Sequence, residues 1–296
     1  MDREDDSAYG ELLGRIADAL ERLAPPVAGP PDWTAHIAWR WRRRPGGGGV
    51  LAPVTRPQLP RAADLLAVDA QKLALLRNTT RFLRGESANN ALLWGARGTG
   101  KSSLIKAMLH ELHADGLRMI EVEARELVDL PAIVELVVGR PERFIVYCDD
   151  LSFEADDASY KALKAALDGS LAAAPDNVLI YASSNRRHLL PEFMAENHEA
   201  TVVDGELHAS DATEEKVSLS ERFGLWLSFR PFDQDQYLAV VDHWLRAFAP
   251  NGPDTSDEPT RIAALRWARQ RGGRSGRVAQ QFARDWRPEE EPGRFG

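Results

Sequence analysis

The sequence has very little cysteine: Cys148 is the one cysteine among 296 residues, so no disulfide can form within the chain. A basic secretory leader is also missing, since the first six residues carry more acidic than basic side chains. These two absences together lead us to expect a cytoplasmic protein. No apolar run approaches the roughly 18–20 residues of a membrane-spanning helix, so we expect no membrane partner.

The sequence has no excess of basic charge either. Its 37 lysines and arginines are outnumbered by 45 aspartates and glutamates, which gives a formal net charge of −8. This balance argues against a generally basic nucleic-acid-binding protein, although it leaves room for a local basic patch. Hydrophobic residues make up 44% of the chain, enough for a buried core, and the length suits one large or two modest domains.

The most specific pattern that is present is a glycine-rich segment at residues 95–102, which we call the phosphate loop. It matches G-x-x-x-x-G-K-[ST] without a mismatch, between an apolar segment (91–94) and a helical pattern of apolar residues. In that context main-chain N–H groups and the lysine bind nucleotide phosphates, and the serine takes one Mg²⁺ position. The alternative is a glycine-rich turn before a helix. The residues concerned are Gly95, Ala96, Arg97, Gly98, Thr99, Gly100, Lys101 and Ser102.

Two aspartates, Asp149 and Asp150, follow the apolar segment 144–148. Because ligands bind at the carboxyl ends of strands in open α/β sheets, we predict that Asp149 holds Mg²⁺. Asp150 is then the candidate base that polarises the attacking water, and Glu154, close behind it, is a rival for that role. A pair of aspartates at this position can also serve only to cap a helix.

Three later residues complete the candidate catalytic set. Asn185 follows the apolar segment 178–182 and is predicted to hydrogen-bond the attacking water or the γ-phosphate, or else simply to begin a turn. Arg222 is a candidate for an arginine that reaches the nucleotide of a neighbouring subunit. Arg277, at the start of a late helix, is placed to contact the γ-phosphate. Taken alone, an arginine such as Arg222 is more often an ordinary surface residue. The alternative for Arg277 is a helix start that Ser275 caps, with its arginines facing solvent.

Strand-like and helix-like segments alternate regularly after the phosphate loop. This alternation predicts an α/β fold, with a mainly parallel sheet, helices on both faces and a small C-terminal helical subdomain. Residues 10–23 are predicted to form an amphipathic helix, and residues 197–215 a polar loop. We divide the chain into an N-terminal helix with a basic and aromatic extension (1–63), a nucleotide-binding α/β domain (64–232) and a helical lid subdomain with a frayed tail (233–296).

Taken in order, the phosphate loop, the aspartate pair, Asn185, Arg222 and Arg277 resemble the Walker A, Walker B, sensor 1, arginine-finger and sensor 2 motifs of AAA+ ATPases. The resemblance covers about residues 64–287. Residues 89–95 and 148–154 are most similar to a bacterial AAA+ family known as domain of unknown function 815. The resemblance implies a P-loop fold, binding of ATP and Mg²⁺, and assembly into a ring or arc with a trans-acting arginine. Its client would be an unidentified protein or nucleic acid.

Two departures from the AAA+ pattern bear on the activity. Asp150 stands where most AAA+ proteins have glutamate, so we expect hydrolysis that is slow or dependent on a partner. Residues 124–129 do not contain the aromatic–hydrophobic–glycine pattern of a pore loop, which weakens a protein-threading function. The alternative functions are a nucleotide-dependent switch or scaffold with negligible turnover and, less favoured, a small-molecule kinase.

A tryptophan- and arginine-rich patch lies at residues 33–44, with Trp33, Trp39 and Trp41 among four arginines. Such a patch can stack bases and bind phosphates. We favour the other interpretation, in which the tryptophans pack on the ATPase core and the arginines remain in water. The histidines and acidic residues of segment 198–208 match no metal-ligand spacing.

Overall fold

The computed structural model describes residues 12–16, 19, 29–44, 48–152, 158–168, 175–185, 201–203, 206–208, 222–250, 252 and 254–286. The chain divides into two compact units, Met1–Trp33 and Thr34–Gly296. In the first unit residues 12–16 are helical, as predicted, but Leu12, Leu13 and Ile16 are exposed. The second unit contains every strand that the structure describes.

A seven-stranded sheet forms the centre of the second unit, in the order β2-β1-β4-β5-β6-β3-β9. Neighbouring strands are parallel except β1 and β2, which form an antiparallel pair at one edge. A separate antiparallel pair consists of β7 and β8. The strands are β1 (Ala38–Arg43), β2 (Gly49–Pro53), β3 (Ala91–Gly95), β4 (Leu117–Glu121), β5 (Arg143–Cys148), β6 (Val178–Ser184), β7 (Thr201–Val203), β8 (Glu206–His208) and β9 (Leu225–Phe229).

Helices connect the strands and form the C-terminal part of the unit. The last three begin with side-chain caps: Asp233 in a capping box with Gln236, then Asp257, then Ser275. The helices are α1 (Asp69–Leu83), α2 (Lys101–Leu112), α3 (Leu130–Glu135), α4 (Ala158–Asp168), α5 (Gln234–Phe248), α6 (Glu258–Gln270) and α7 (Gly276–Asp285). Short 3₁₀ helices lie at Ala62–Asp64, His113–Asp115 and Ala124–Asp129.

The central strands are buried along their length, as expected for a parallel sheet covered on both faces. Strand β6 pairs with β5 on one side and with β3 on the other. All three strands run in the same direction, so their carboxyl ends meet at one edge of the sheet. The phosphate loop follows β3, the two aspartates follow β5 and Asn185 follows β6, which places all three motifs at this edge.

The predicted α/β fold with a mainly parallel sheet is confirmed, with differences in detail. The apolar pattern of residues 130–139 predicts one helix, but α3 ends at Glu135. Strands β7 and β8 lie within residues 197–215, which we expected to be a loop, and β9 was not expected at all. The sheet also includes β1 and β2, which precede residue 64. The domain boundary that we place between residues 63 and 64 stays a sequence-based prediction.

Candidate functional site

The phosphate loop is folded tightly against β9. Gly95 has a left-handed backbone (φ +130°), and a Cβ there would lie 2.0 Å from the carbonyl oxygen of Phe229. That same carbonyl accepts a hydrogen bond from the N–H of Ala96 at 3.0 Å. Only glycine allows this approach of two backbones, so the turn into the loop depends on Gly95.

Lys101 is the first residue of α2 and is buried, with 6% of its surface exposed. Its Nζ donates to the carbonyl oxygens of Gly95 and Ala96, both at 2.8 Å, and to Oδ1 of Asn185 at 3.0 Å. Burial lowers the pKa of Lys101, and the nearby carboxylates of Asp150 and Asp149 oppose that shift. These three acceptors match the three donors of an ammonium group.

Asp149 lies at the end of β5, beside the start of α2. Its Oδ1 accepts hydrogen bonds from Ser102 Oγ at 2.6 Å and from Ser183 Oγ at 2.5 Å. Burial by itself raises the pKa of Asp149, but the hydrogen bonds from Ser102 and Ser183 bring it below its ordinary value. The carboxylate is therefore kept ionised next to the Ser102 hydroxyl, a set of hard oxygen donors that suits Mg²⁺.

Asp150 has a left-handed backbone (φ +49°), which is uncommon for a residue other than glycine. Its N–H donates to Ser183 Oγ at 3.0 Å and to Oδ1 of Asp149 at 3.1 Å. Its carboxylate accepts a hydrogen bond from the amide nitrogen of Asn185. Since Asn185 also accepts from Lys101, one amide joins the lysine of the phosphate loop to the second aspartate.

The N-terminus of α7 packs directly on the phosphate loop. The N–H of Arg277 donates to the carbonyl oxygen of Gly98 at 3.2 Å. Gly98 is left-handed (φ +76°), and a Cβ there would lie 2.8 Å from Oγ of Ser275 and 3.3 Å from Cβ of Arg277. Arg277 and Gln280, one turn apart on α7, thus face the same space as Lys101.

A cavity of about 510 Å³ joins these groups. Its polar lining comes from residues 97–102 of the phosphate loop, both aspartates, Asn185 and the start of α7. Its apolar lining residues are Pro60, Leu65, Leu66, Val68, Phe232, Val240 and Trp244. Such a mixed lining suits a ligand that carries both charged and apolar groups.

Two predicted catalytic residues are not among those that line the cavity. Arg222 lies just before β9, at the amino end of that strand, whereas the phosphate loop lies at the carboxyl end of the parallel strand β3. Arg222 and the phosphate loop of its own chain therefore lie at opposite ends of these two strands. Glu154 lies outside the described residues.

Residues 38–43 of the tryptophan- and arginine-rich patch form β1. Trp39 and Trp41 are buried, with 1% and 2% of their surfaces exposed, which confirms that these two tryptophans pack into the core. Arg40 pairs with Glu121 at 2.6 Å, and Arg43 pairs with Asp129 at 2.9 Å. Acidic partners within the chain thus neutralise two of the four arginines of the patch.

The described part of the chain contains no cluster of three or more histidine, cysteine or acidic side chains that could hold a metal ion by itself. Within the same residues, none of the helices has the length and hydrophobicity needed to span a bilayer.

Ser183 and Trp244 are two of the site residues that the sequence did not identify. Ser183 belongs to a Ser-Ser-Asn string at the end of an apolar segment, and two hydroxyls on a buried strand were a usable signal. Trp244 is one of several apolar residues on an amphipathic helix, and no local pattern distinguishes it from an ordinary core residue.

The sequence profile of one family, described as "Protein of unknown function (DUF815)", matches residues 34–290 of this chain. The chain belongs to the DUF815 family. No curated protein matches the sequence.

Solved structures of RuvB from Thermotoga maritima resemble the fold. One point mutant of RuvB gives a TM-score of 0.53 at 15% identity over 76% of this chain and 64% of RuvB. A second point mutant gives 0.52 at 15% identity, over 76% and 63%. RuvB described as a Holliday junction branch migration motor gives 0.50 at 16% identity, over 77% and 64%. The DUF815 chain spans a little under two thirds of these RuvB chains, and the likeness establishes an AAA+ P-loop fold, as predicted.

Proposed function

We propose that this DUF815 protein binds ATP together with Mg²⁺ and hydrolyses it while remodelling or loading a macromolecular partner. One observation carries the proposal. The buried ammonium of Lys101, at the start of α2, and the carboxylates of Asp149 and Asp150, which follow β5, face one cavity. A cation held among main-chain groups, opposite two carboxylates, is the arrangement that nucleotide phosphates with a bound divalent ion require.

In this proposal each residue of the site has a separate role in binding or hydrolysing ATP. Glycines at positions 95, 98 and 100 hold left-handed backbone, so main-chain groups approach the phosphates without side chains between them. Lys101 binds phosphate oxygens, and Ser102 with Asp149 holds the ion. Mg²⁺, when bound, supplies positive charge beside the phosphates, and ATP supplies the phosphoanhydride bond. Asp150 accepts the proton of the attacking water, and Asn185 orients the Asp150 carboxylate and the water.

Assembly is the second part of the proposal. Arg222 lies at the amino end of β9, whereas its own phosphate loop lies at the carboxyl end of the parallel strand β3, so it would serve the cavity of a neighbouring subunit. We therefore propose a ring or open arc, in which each site takes its arginine from the next chain. The client is a protein or a nucleic acid.

A binding experiment tests the nucleotide site. Titration of a fluorescent ATP analogue should give saturable binding to the wild-type protein, and Lys101→Ala should weaken it severely, because a lost partner of a buried charge costs about 2–5 kcal/mol. Lys161→Ala, at an exposed lysine of α4, is the matched control and should bind normally. Wild-type affinity in Lys101→Ala would refute the assignment of the phosphate loop.

A nucleotide-dependent switch is the second candidate function. The observation that favours it is the hydrogen bond from Asn185 to the Asp150 carboxylate, which occupies the proposed base. Phosphate release measured without any acceptor distinguishes the alternatives. Phosphate release above background supports the ATPase, and tight binding without release supports the switch. Formation of ADP that requires a small-molecule acceptor, with the phosphoryl group transferred to that acceptor and no free phosphate released, supports a kinase.

A further inference from the structure

Among the residues that the structure describes, Ser183 has the one hydroxyl that contacts both aspartates of the site. It is the sixth residue of β6, with 1% of its surface exposed. Its Oγ donates to Oδ1 of Asp149 at 2.5 Å and accepts the N–H of Asp150 at 3.0 Å. Its main-chain oxygen accepts the N–H of Leu151 at 2.7 Å. Three consecutive residues after β5 are thus attached to this single residue of the neighbouring strand.

The contact with Asp149 orients its carboxylate. Ser102 and Ser183 both donate to Oδ1, and the N–H of Asp150 donates to the same atom. The carboxylate is therefore held by one oxygen, and Oδ2 carries none of these three hydrogen bonds. A carboxylate fixed in this way presents a defined oxygen to a cation, without the entropy cost of ordering it at the moment of binding.

The contact with Asp150 supports its unusual backbone. A left-handed conformation at a residue other than glycine persists only where neighbouring groups enforce it. The hydrogen bond from the Asp150 N–H to Ser183 is one such restraint, and the bond from Leu151 to the Ser183 carbonyl is another. Together they keep the Asp150 side chain directed at Asn185 rather than away from the cavity.

We propose that Ser183 is the positioning residue for this aspartate pair, so that one hydroxyl sets both the Mg²⁺ ligand and the base. This inference rests on the proposed function, because it assigns Asp149 to the ion and Asp150 to the water. It acts through the aspartates and needs no contact with nucleotide. Ser183 should therefore affect Mg²⁺-dependent binding and the chemical step, and should leave Mg²⁺-free nucleotide binding unchanged.

The experiment compares Ser183→Ala with Ser184→Ala. Ser184 is also buried on β6, and its Oγ donates to the carbonyl oxygen of Leu151 at 2.8 Å, so it also contacts the segment that follows β5. Ser184 does not line the cavity. For each variant the dissociation constant of fluorescent ATP is measured with Mg²⁺ and with EDTA, and kcat and KM are measured separately. Thermal unfolding monitors the general loss of a buried hydroxyl.

Ser183→Ala should reduce the Mg²⁺-dependent gain in affinity by about tenfold or more, because hydrogen bonds to charged groups are the stronger ones. It should lower kcat while the EDTA dissociation constant stays at the wild-type value. Ser183→Thr keeps the hydroxyl and should restore the Mg²⁺ effect. Ser183→Cys, similar in volume but a weak hydrogen bonder, should resemble Ser183→Ala and carries the test if the alanine variant does not fold.

The outcomes separate the two proposals. If Mg²⁺ tightens ATP binding to the wild type and to Ser183→Ala and Ser183→Cys equally, the role of Ser183 is wrong and the ATP site stands. If Ser184→Ala loses the Mg²⁺ effect as much as Ser183→Ala does, the effect is structural and the role of Ser183 is again wrong. If the wild-type protein binds ATP without any effect of Mg²⁺, the proposed metal site fails together with this inference.

Discussion

Two residues other than glycine have left-handed backbone in the described chain: Ala67 (φ +60°) and Asp150 (φ +49°). Both adjoin the cavity, since Leu66 and Val68 line it on either side of Ala67. Such conformations cost of order 1–3 kcal/mol each and concentrate at functional sites. Their positions in or next to the cavity lining associate this backbone strain with the candidate site.

Asp150→Asn should bind ATP as the wild type does and hydrolyse it about 10²–10⁴-fold more slowly, the usual contribution of a general base. Asparagine tolerates the left-handed backbone, so the turn should be preserved while the carboxylate is lost. Equilibrium binding and steady-state phosphate release provide the measurement. Normal hydrolysis by this variant, with an inactive Glu154→Gln, would move the base to Glu154.

Asp64 gives a pH-dependent prediction. Hydrogen bonds from Arg61, both at 2.9 Å, lower the pKa of Asp64 from its ordinary value of 3.8, and His243 lies 3.2 Å away on α5. A carboxylate with a lowered folded pKa stabilises the protein above its unfolded pKa and loses that contribution as pH falls through the folded value.

Asp64→Asn should therefore destabilise the protein above about pH 4, by less than about 1 kcal/mol, because its partner Arg61 is largely exposed and solvent weakens the ion pair. The deficit should shrink as the pH falls further. Urea unfolding of both proteins at pH 6 and at pH 3 measures it. In an Arg61→Ala background most of the deficit should disappear, and a deficit of equal size at both pH values would contradict the assignment.

At the scale of the elements, the packing of α7 on the phosphate loop makes Gly98 sensitive to substitution. Gly98→Ala introduces a Cβ 2.8 Å from Oγ of Ser275, so α7 must move away from the loop. We expect faster hydrogen exchange at the N-terminus of α7 and weaker ATP binding. Gly100→Ala is the matched control, because its φ of +102° imposes backbone strain while no atom lies within 4 Å of the new Cβ.

Equal hydrogen exchange at α7 in the two variants would mean that backbone strain, and not the contact with Ser275, causes the change.

The contact between Gly98 and Ser275 also shows what the sequence could and could not predict. The phosphate loop and the aspartate pair are local patterns with a strand before them, and the structure brings both to one cavity. The contact between Gly98 and Ser275 joins residues 177 positions apart, and no local pattern records such an approach.

Other elements follow the same division. Strand β9 has five residues, too few to show a clear alternation of apolar and polar side chains. It forms because it pairs with the parallel strand β3. Strand β1 alternates tryptophan with arginine, a pattern that fits a nucleic-acid surface as well as a strand. Its acidic partners, Glu121 and Asp129, lie 81 and 86 positions away from Arg40 and Arg43, so only the folded chain reveals them.

At the scale of the whole molecule, the proposed assembly predicts complementation between two inactive variants. Arg222→Ala should lower turnover by up to about 10³–10⁵-fold, the effect of a trans-acting arginine in other P-loop systems. Lys101→Ala lacks a working cavity but retains Arg222. Mixing the two should restore part of the activity, because some interfaces then combine an intact cavity with an intact arginine. Turnover measured against mixing ratio gives the test.

Specific activity of the wild type should also rise with protein concentration, since a lone chain lacks the arginine. Full activity of Arg222→Ala, together with turnover that is independent of concentration, would exclude a shared site. Activity of the mixture no greater than the sum of the separate variants would lead to the same conclusion.

The single cysteine can report on local unfolding of the sheet, because it lies on a buried strand. Cys148 lies on β5, directly before the aspartate pair, and burial raises the pKa of its thiol to about 12. In the folded protein this thiol is both inaccessible and protonated, so it resists maleimides and disulfide reagents. The rate at which Cys148 is labelled therefore measures how often β5, the central strand of the sheet, becomes exposed to solvent. A dye attached to a cysteine engineered on the surface would need no cysteine-free background.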